Sequence, residues 1–284
     1  MSQNAAHAHF VTVDWLKEHL RAPDLYLIDA SWHLPTLGRD ARAEYRAGHI
    51  PGAVFFDIDE ISDKSSALPH MLPSPVAFAS AMRKMGLGDG MRVVVYDSYG
   101  LFSAPRVWWT LRAFGARDVY VLEGGLPAWT AAGHALEDGE TRRQPRHFTA
   151  RLDHGMIADL ADVKQALAGA AQVVDARAAD RFRGDAPEPR PGLKSGHMPG
   201  AKNLPWTDVV AQGKLKSRDE LAALFQSAGV DLAKPIVTTC GSGVSAAILS
   251  LALETAAGRT APVYDGSWSE WGARPDCPAA QGAA

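Results

Sequence analysis

The sequence predicts an α/β protein made by tandem duplication, each half a mainly parallel sheet flanked by helices. Three observations predict it: a hexapeptide that occurs twice, apolar β-branched runs alternating with helical patterns, and a length of 284 residues. That length suits two domains of roughly 100–200 residues each. Gly48-His49-Ile50-Pro51-Gly52-Ala53 recurs as Gly196-His197-Met198-Pro199-Gly200-Ala201. Leu25-Tyr26-Leu27-Ile28 before the first copy ends in Asp29-Ala30, and Gln172-Val173-Val174 before the second ends in Asp175-Ala176. After the copies come Val93-Val94-Val95-Tyr96, then Asp97, and Ile236-Val237-Thr238-Thr239, then Cys240. A long apolar segment follows each, Val107 to Phe114 and Ala246 to Glu254. The offset narrows only from 148 residues at Gly48 and Gly196 to 142 at Gly124 and Gly266. So many landmarks in one order mean duplication.

Short β-branched runs separated by helical patterns read as strands of a mainly parallel sheet covered on both faces. Thr12 or Asp14 starts a helix through Trp15 to Leu20, and Asp159 one through Leu160 to Leu167. Residues 8–136 are expected to form the first domain and residues 157–277 the second, with 137–156 a polar linker around Gln144-Pro145-Arg146.

The composition is that of an ordinary globular chain: 46% apolar, 21% charged, net charge −3. Such a balance offers no basic field for nucleic acid or an anionic membrane. No apolar run reaches about 18 residues, as a membrane-spanning helix would require. Met1 to Phe10 is polar and lacks the pattern of a secretory signal. Two cysteines, Cys240 and Cys277, do not make a disulfide framework, so a reducing compartment, the cytoplasm, is expected.

Cys240 stands at the carboxyl end of a predicted central strand, where open α/β sheets bind ligands. Gly241-Ser242-Gly243-Val244-Ser245 follows, and then a helix. Two glycines allow the backbone to curl into a nest of inward N–H groups, and the helix N-terminus adds positive potential. A thiol there is expected to have a depressed pKa, and the same amides suit a persulfide anion. The competing reading is an inert, buried thiol. The first half has Asp97 at the corresponding place, which cannot carry sulfur, so one catalytic site per chain is expected.

Two tandem domains, Gly-His-[Ile/Met]-Pro-Gly-Ala in each, and a cysteine loop only in the second resemble the rhodanese-type sulfurtransferases. The loop Cys240-Gly241-Ser242-Gly243-Val244-Ser245-Ala246 is similar to that of the 3-mercaptopyruvate branch. Thiosulfate sulfurtransferases of similar build carry Arg-Lys after the cysteine. The resemblance implies two rhodanese-like domains, the first non-catalytic, and sulfur transfer from 3-mercaptopyruvate through a Cys240 persulfide, releasing pyruvate. Gly241, Gly243, Val244 and Ser245 would form the cage. Arg181 and Arg190 match the family's cationic clamp for the donor, with Arg183 a nearby candidate. Their residues alone also fit solvated loop arginines paired with Asp185 or Glu188.

The resemblance further implies a proton relay of Ser242, His70 and Asp59, with Asp57 the competing carboxylate; His70 alternatively caps a turn before Pro73. Since His70 and Asp59 belong to the first repeat, the site is expected between the domains. Cyanide, a small thiol or thioredoxin would accept the sulfur. No metal or cofactor, no nucleic-acid or membrane partner, and a monomer are expected. The alternatives are a thiosulfate:cyanide sulfurtransferase and a non-enzymatic sulfur-responsive module. A related phosphatase needs Cys-x5-Arg, and Ala246 occupies that sixth position. His49 and His197, present in both halves, read as fold residues. The tryptophans read as core, with Trp268 also placed to wall a pocket. Cys277, in a proline-rich tail, reads as an exposed spare thiol or redox partner.

Overall fold

The apolar runs at Leu25 and Arg92 form the centre of the first sheet in a computed structural model, which describes residues 8–283. Residues 1–7, part of the segment expected to lack a secretory signal, lie outside that range. The chain divides into two units. The first comprises the described residues up to Asp63, with Leu72–Asp153 and Gln212–Lys214. The second comprises Lys64–Met71, His154–Ala211 and the residues from Leu215 onward.

The first unit holds β1 (Phe10–Val11), β2 (Leu25–Asp29), β3 (Val54–Phe55), β4 (Arg92–Tyr96) and β5 (Val119–Leu122), in the order β1-β5-β4-β2-β3. Every pair is parallel. Its helices are α1 (Val13–His19), α2 (Ala41–Ala47), α3 (Pro75–Met85), α4 (Ala104–Ala113) and α5 (Gly125–Ala131). The second sheet uses β6 (Ile157–Ala158), β7 (Gln172–Asp175), β8 (Lys202–Asn203), β11 (Ile236–Thr239) and β12 (Val263–Tyr264), in the order β6-β12-β11-β7-β8. It is also parallel throughout. Two short strands, β9 (Val210–Ala211) and β10 (Lys214–Leu215), stand outside it. The helices are α6 (Leu160–Gln165), α7 (Ala179–Arg183), α8 (Trp206–Val209), α9 (Arg218–Ser227), α10 (Ala246–Ala257) and α11 (Ser267–Trp271). Numbered within its own repeat, each sheet has the same strand order. The duplication seen in the motifs is a duplication of topology.

Local chemistry sets the boundaries. Thr12 caps α1, its Oγ1 accepting from Trp15 N at 3.1 Å, and Asp159 opens α6 through a reciprocal capping box with Asp162. Every residue of α10 from Ala246 to Leu253 is buried, as the apolar composition requires of a helix enclosed on all sides. No helix among the described residues is long and apolar enough to cross a membrane.

The repeated hexapeptide has a fold role. In each unit its histidine stacks on a ring, His49 on Tyr45 at 4.0 Å and His197 on Phe182 at 3.9 Å. Each Nδ1 meets a carbonyl at 2.8 Å, of Tyr45 and of Phe182. A later segment pins each loop by an antiparallel bridge, His49 to Glu137 and His197 to Ala280. Residues 137–153, within the stretch 137–156 expected as a linker, group with the first unit, with Arg151 N donating to Phe114 O and Asp153 N to Ala113 O. The polar composition of that stretch fits its exposure, with Phe148 its buried anchor.

The same tail corrects the reading of Cys277. It is fully buried beside Phe182, Met198, Trp268 and Trp271, because Trp271 Nε1 anchors Pro278 O at 2.7 Å and draws the tail inward. Trp268, also fully buried, is a core residue whose Nε1 donates to Lys194 O at 2.9 Å.

Gly196 is where the tail presses closest: its φ is 113°, and a Cβ there would lie against the carbonyl oxygen of Ala280. Gly196→Ala is therefore expected to destabilise the chain by about 3 kcal/mol or more in urea unfolding. Gly192→Ala, with open space around a comparable φ of 81°, is the control with the smaller effect.

Candidate active site

Parallel pairing sets the level of the site. Asp29 pairs with Tyr96 and Asp175 with Thr239, so Asp97 and Cys240 each follow directly at the carboxyl end of a central strand. Cys240 is buried. Its backbone is clamped from the start of α11: Trp268 N donates to Cys240 O at 2.9 Å, and Ser269 donates to Gly241 O through both N, at 2.9 Å, and Oγ, at 2.7 Å. Cys240 N donates to Ser267 Oγ at 3.3 Å, and that hydroxyl donates onward to Tyr264 O at 2.7 Å.

Ser267 holds φ of 50°, a left-handed value costing a non-glycine residue roughly 1 kcal/mol or more. The first repeat has Gly125 there, at 54°. A serine is retained in a glycine conformation where its hydroxyl holds the cysteine backbone. The signal for it in the sequence is the alignment of Gly125 with Ser267 between the repeats.

The loop of the first unit displays what such a loop holds. Asp97 is fully buried, and its carboxylate accepts from Tyr99 N at 2.9 Å, Phe102 N at 2.7 Å, Ser103 N at 2.9 Å and Ala104 N at 2.8 Å. Burial pushes this carboxyl above the usual carboxylate range, against the pull of those amides. In the second unit the loop is one residue shorter, and counting back from α10 the matching amides are Gly241, Val244, Ser245 and Ala246. Among the described residues, no protein group accepts from these four. Gly243, at φ 79°, supplies the left-handed step of a nest. Where the first loop is filled by its own carboxylate, the second is an open anion cage beside a thiol.

His70, expected from the first repeat, lies in the segment Lys64–Met71 that groups with the second unit. It is buried, with φ of 63°, and its Nδ1 is 3.1 Å from Ser242 Oγ and 3.2 Å from Ser242 O. The structure thus brings His70 and Ser242 together. Asp59 lies in the first unit, where its Oδ2 accepts from Trp32 Nε1 at 2.9 Å. Asp57 Oδ1 accepts from the amides of both Asp59 and Glu60 at 3.1 Å, which commits it to the turn.

Arg181, near the end of α7, lies against the cysteine loop: a Cβ on Gly241 would be 3.1 Å from its Nη2. Glu188 accepts from the same guanidinium at 2.5 Å from Nη2. The pairing with Glu188 and the approach to the loop, alternatives in the sequence, therefore coexist. Arg183 pairs instead with the exposed Asp185 at 2.7 Å. Arg190, partly buried, follows in the bend after α7.

The model of the rhodanese-like domain matches residues 12–132 and again 159–274. The chain belongs to the rhodanese-like family. A 3-mercaptopyruvate sulfurtransferase of Escherichia coli is 48% identical over 271 residues, 95% of this chain and 96% of that protein. The human 3-mercaptopyruvate sulfurtransferase is 48% identical over 269 residues, covering 92% and 91%. The crystal structure of the 3-mercaptopyruvate sulfotransferase SseA from Escherichia coli superposes with a TM-score of 0.85 at 46% identity, covering 92% of this chain and 99% of that one. Rhodanese-like architecture thus accounts for both sheets.

The filled cage offers a test of its own. In Asp97→Asn an NH2 group must replace an acceptor oxygen and face at least one backbone N–H. Urea unfolding is expected to show a loss of about 2–4 kcal/mol.

Proposed function

We propose that this rhodanese-like chain is a 3-mercaptopyruvate sulfurtransferase with Cys240 as its nucleophile. The observation that carries the reading is the open amide cage around Cys240, set against the same cage filled by Asp97 in the first unit. Converging backbone amides suit a negative sulfur species.

In the proposed reaction the Cys240 thiolate attacks the donor sulfur, a new S–S bond forms, and the C–S bond breaks with its electron pair moving to carbon. Pyruvate leaves as an enolate that must gain a proton. Ser242 and His70, 3.1 Å apart, supply the path for it, with Asp59 as the family's third member. The persulfide rests in the cage of Gly241, Gly243, Val244 and Ser245 until an acceptor thiolate or cyanide takes its outer sulfur and frees the Cys240 thiolate. Cyanide, a small thiol or thioredoxin fills that role, and the chain works as a monomer in the cytoplasm.

The donor carries its charge on a carboxylate several bonds from sulfur. A loop with no cation of its own, and a guanidinium brought beside it from α7, suit that distribution. Arg181 and Arg190 are the proposed clamp, since a planar fork matches a carboxylate better than an ammonium does. Thiosulfate, a compact dianion, favours cations at the loop itself, where this chain has glycines and serines. A higher kcat/KM for thiosulfate than for mercaptopyruvate would overturn the donor assignment.

Cys240→Ser is expected to abolish transfer and to abolish the one-sulfur mass gain that donor treatment gives the wild-type chain; residual turnover would sink the assignment. Gly241→Ala places a methyl 3.1 Å from Arg181 Nη2, so the guanidinium must shift. Steady-state kinetics should show a mercaptopyruvate KM raised roughly three- to tenfold, with kcat less affected.

A further inference from the structure

A buried chain of alternating charge ends at Arg181. Arg177 bonds Asp175 through Nε, at 2.9 Å to Oδ2, and through Nη2, at 2.7 Å. Its Nη1 donates to Glu188 Oε1 at 2.8 Å. Glu188 then takes Arg181 on two nitrogens, Nη2 to Oε2 at 2.5 Å and Nε to Oε1 at 3.3 Å. The side chains of Asp175 and Arg177 are each 1% exposed, that of Glu188 is 2% exposed, and that of Arg181 is 22% exposed. The charges run minus, plus, minus, plus outward from β7, and only the last reaches solvent.

Such burial is a weak source of stability, because desolvation offsets most of the attraction. What it does supply is geometry. Arg177 is fixed independently by Gly196 O, at 2.9 Å from Nη2, and by the Trp268 ring, 4.3 Å from Cζ. Glu188 therefore meets Arg181 from a rigid base and grips the Nε–Nη2 side of its fork. Among the described residues, no protein group accepts from Arg181 Nη1. That guanidinium is also the one lying against Gly241, next to Cys240.

We infer that Glu188 is a positioning residue: held by Arg177, it fixes the Arg181 guanidinium beside the cysteine loop with its Nη1 edge open to the donor carboxylate. The inference rests on the proposed role of Arg181 in binding that carboxylate. Glu188 touches no reacting atom and acts through Arg181 alone.

A double-mutant cycle on the full chain tests it, with mercaptopyruvate as donor and cyanide as acceptor. Arg181→Ala is expected to raise KM at least about tenfold. Glu188→Gln should raise KM about fivefold with kcat within about twofold, and add less than about twofold in the Arg181→Ala background. A general structural lesion would add equally in both backgrounds, and that result, or an unchanged KM for Glu188→Gln alone, overturns the positioning role. An unchanged KM for Arg181→Ala instead overturns the carboxylate clamp, and the role of Glu188 falls with it. Should Glu188→Gln fail to fold, Glu188→Asp keeps the charge but withdraws it by one methylene, and the same dependence on Arg181 is required of it.

Discussion

Backbone N–H groups that converge at the carboxyl end of a parallel strand must find an acceptor, and both halves of this molecule are arranged around that demand. A strand delivers one residue to the sheet edge, a short loop curls, and a helix begins. The amides so gathered are costly to bury unpaired. The first unit meets the demand internally, with the carboxylate of Asp97. In the second, no protein group among the described residues accepts from the matching amides, which stand beside a cysteine. One physical requirement, answered in two ways, distinguishes the loop after β4 from the loop after β11.

The surrounding elements serve this loop. α10 is buried along its first eight residues, which anchors the helix whose N-terminus closes the cage. The start of α11 fixes the backbone of Cys240 and Gly241 through four hydrogen bonds from Ser267, Trp268 and Ser269, and accepts the strain of Ser267 to do so. Arg177 and Glu188 reach in from the segments that follow β7 and α7, Arg177 against the Trp268 ring of α11.

Much of the architecture was legible in the sequence because duplication makes each half a check on the other. The strand runs, the caps at Thr12 and Asp159, and the start of α10 after Ser245 all depend on local chemistry, and local chemistry is written residue by residue. The proximity of His70 to Ser242 came from family resemblance; no pattern in the chain reveals that Lys64–Met71 leaves its own repeat for the other unit. Cys277 was misread because a proline-rich stretch looks like a tail, while its burial depends on a long-range bond from Trp271. Arg177, and the burial of Glu188, are illegible in the sequence for a related reason. A buried ion chain and a solvated one have the same composition, and only tertiary packing distinguishes them.

Under the proposed clamp role of Arg181, the alternating charges from Asp175 to Arg181 bear on the thermodynamics of donor capture. A free arginine side chain carries about 2 kcal/mol of rotamer entropy, which a ligand must quench when it recruits that side chain from solvent. Here Glu188 quenches much of it while the chain folds. An incoming anion then meets a guanidinium already close to one orientation, and less of its attraction is lost to ordering. Recognition at this corner should accordingly carry a smaller entropic penalty, with the conformational search completed before the ligand arrives.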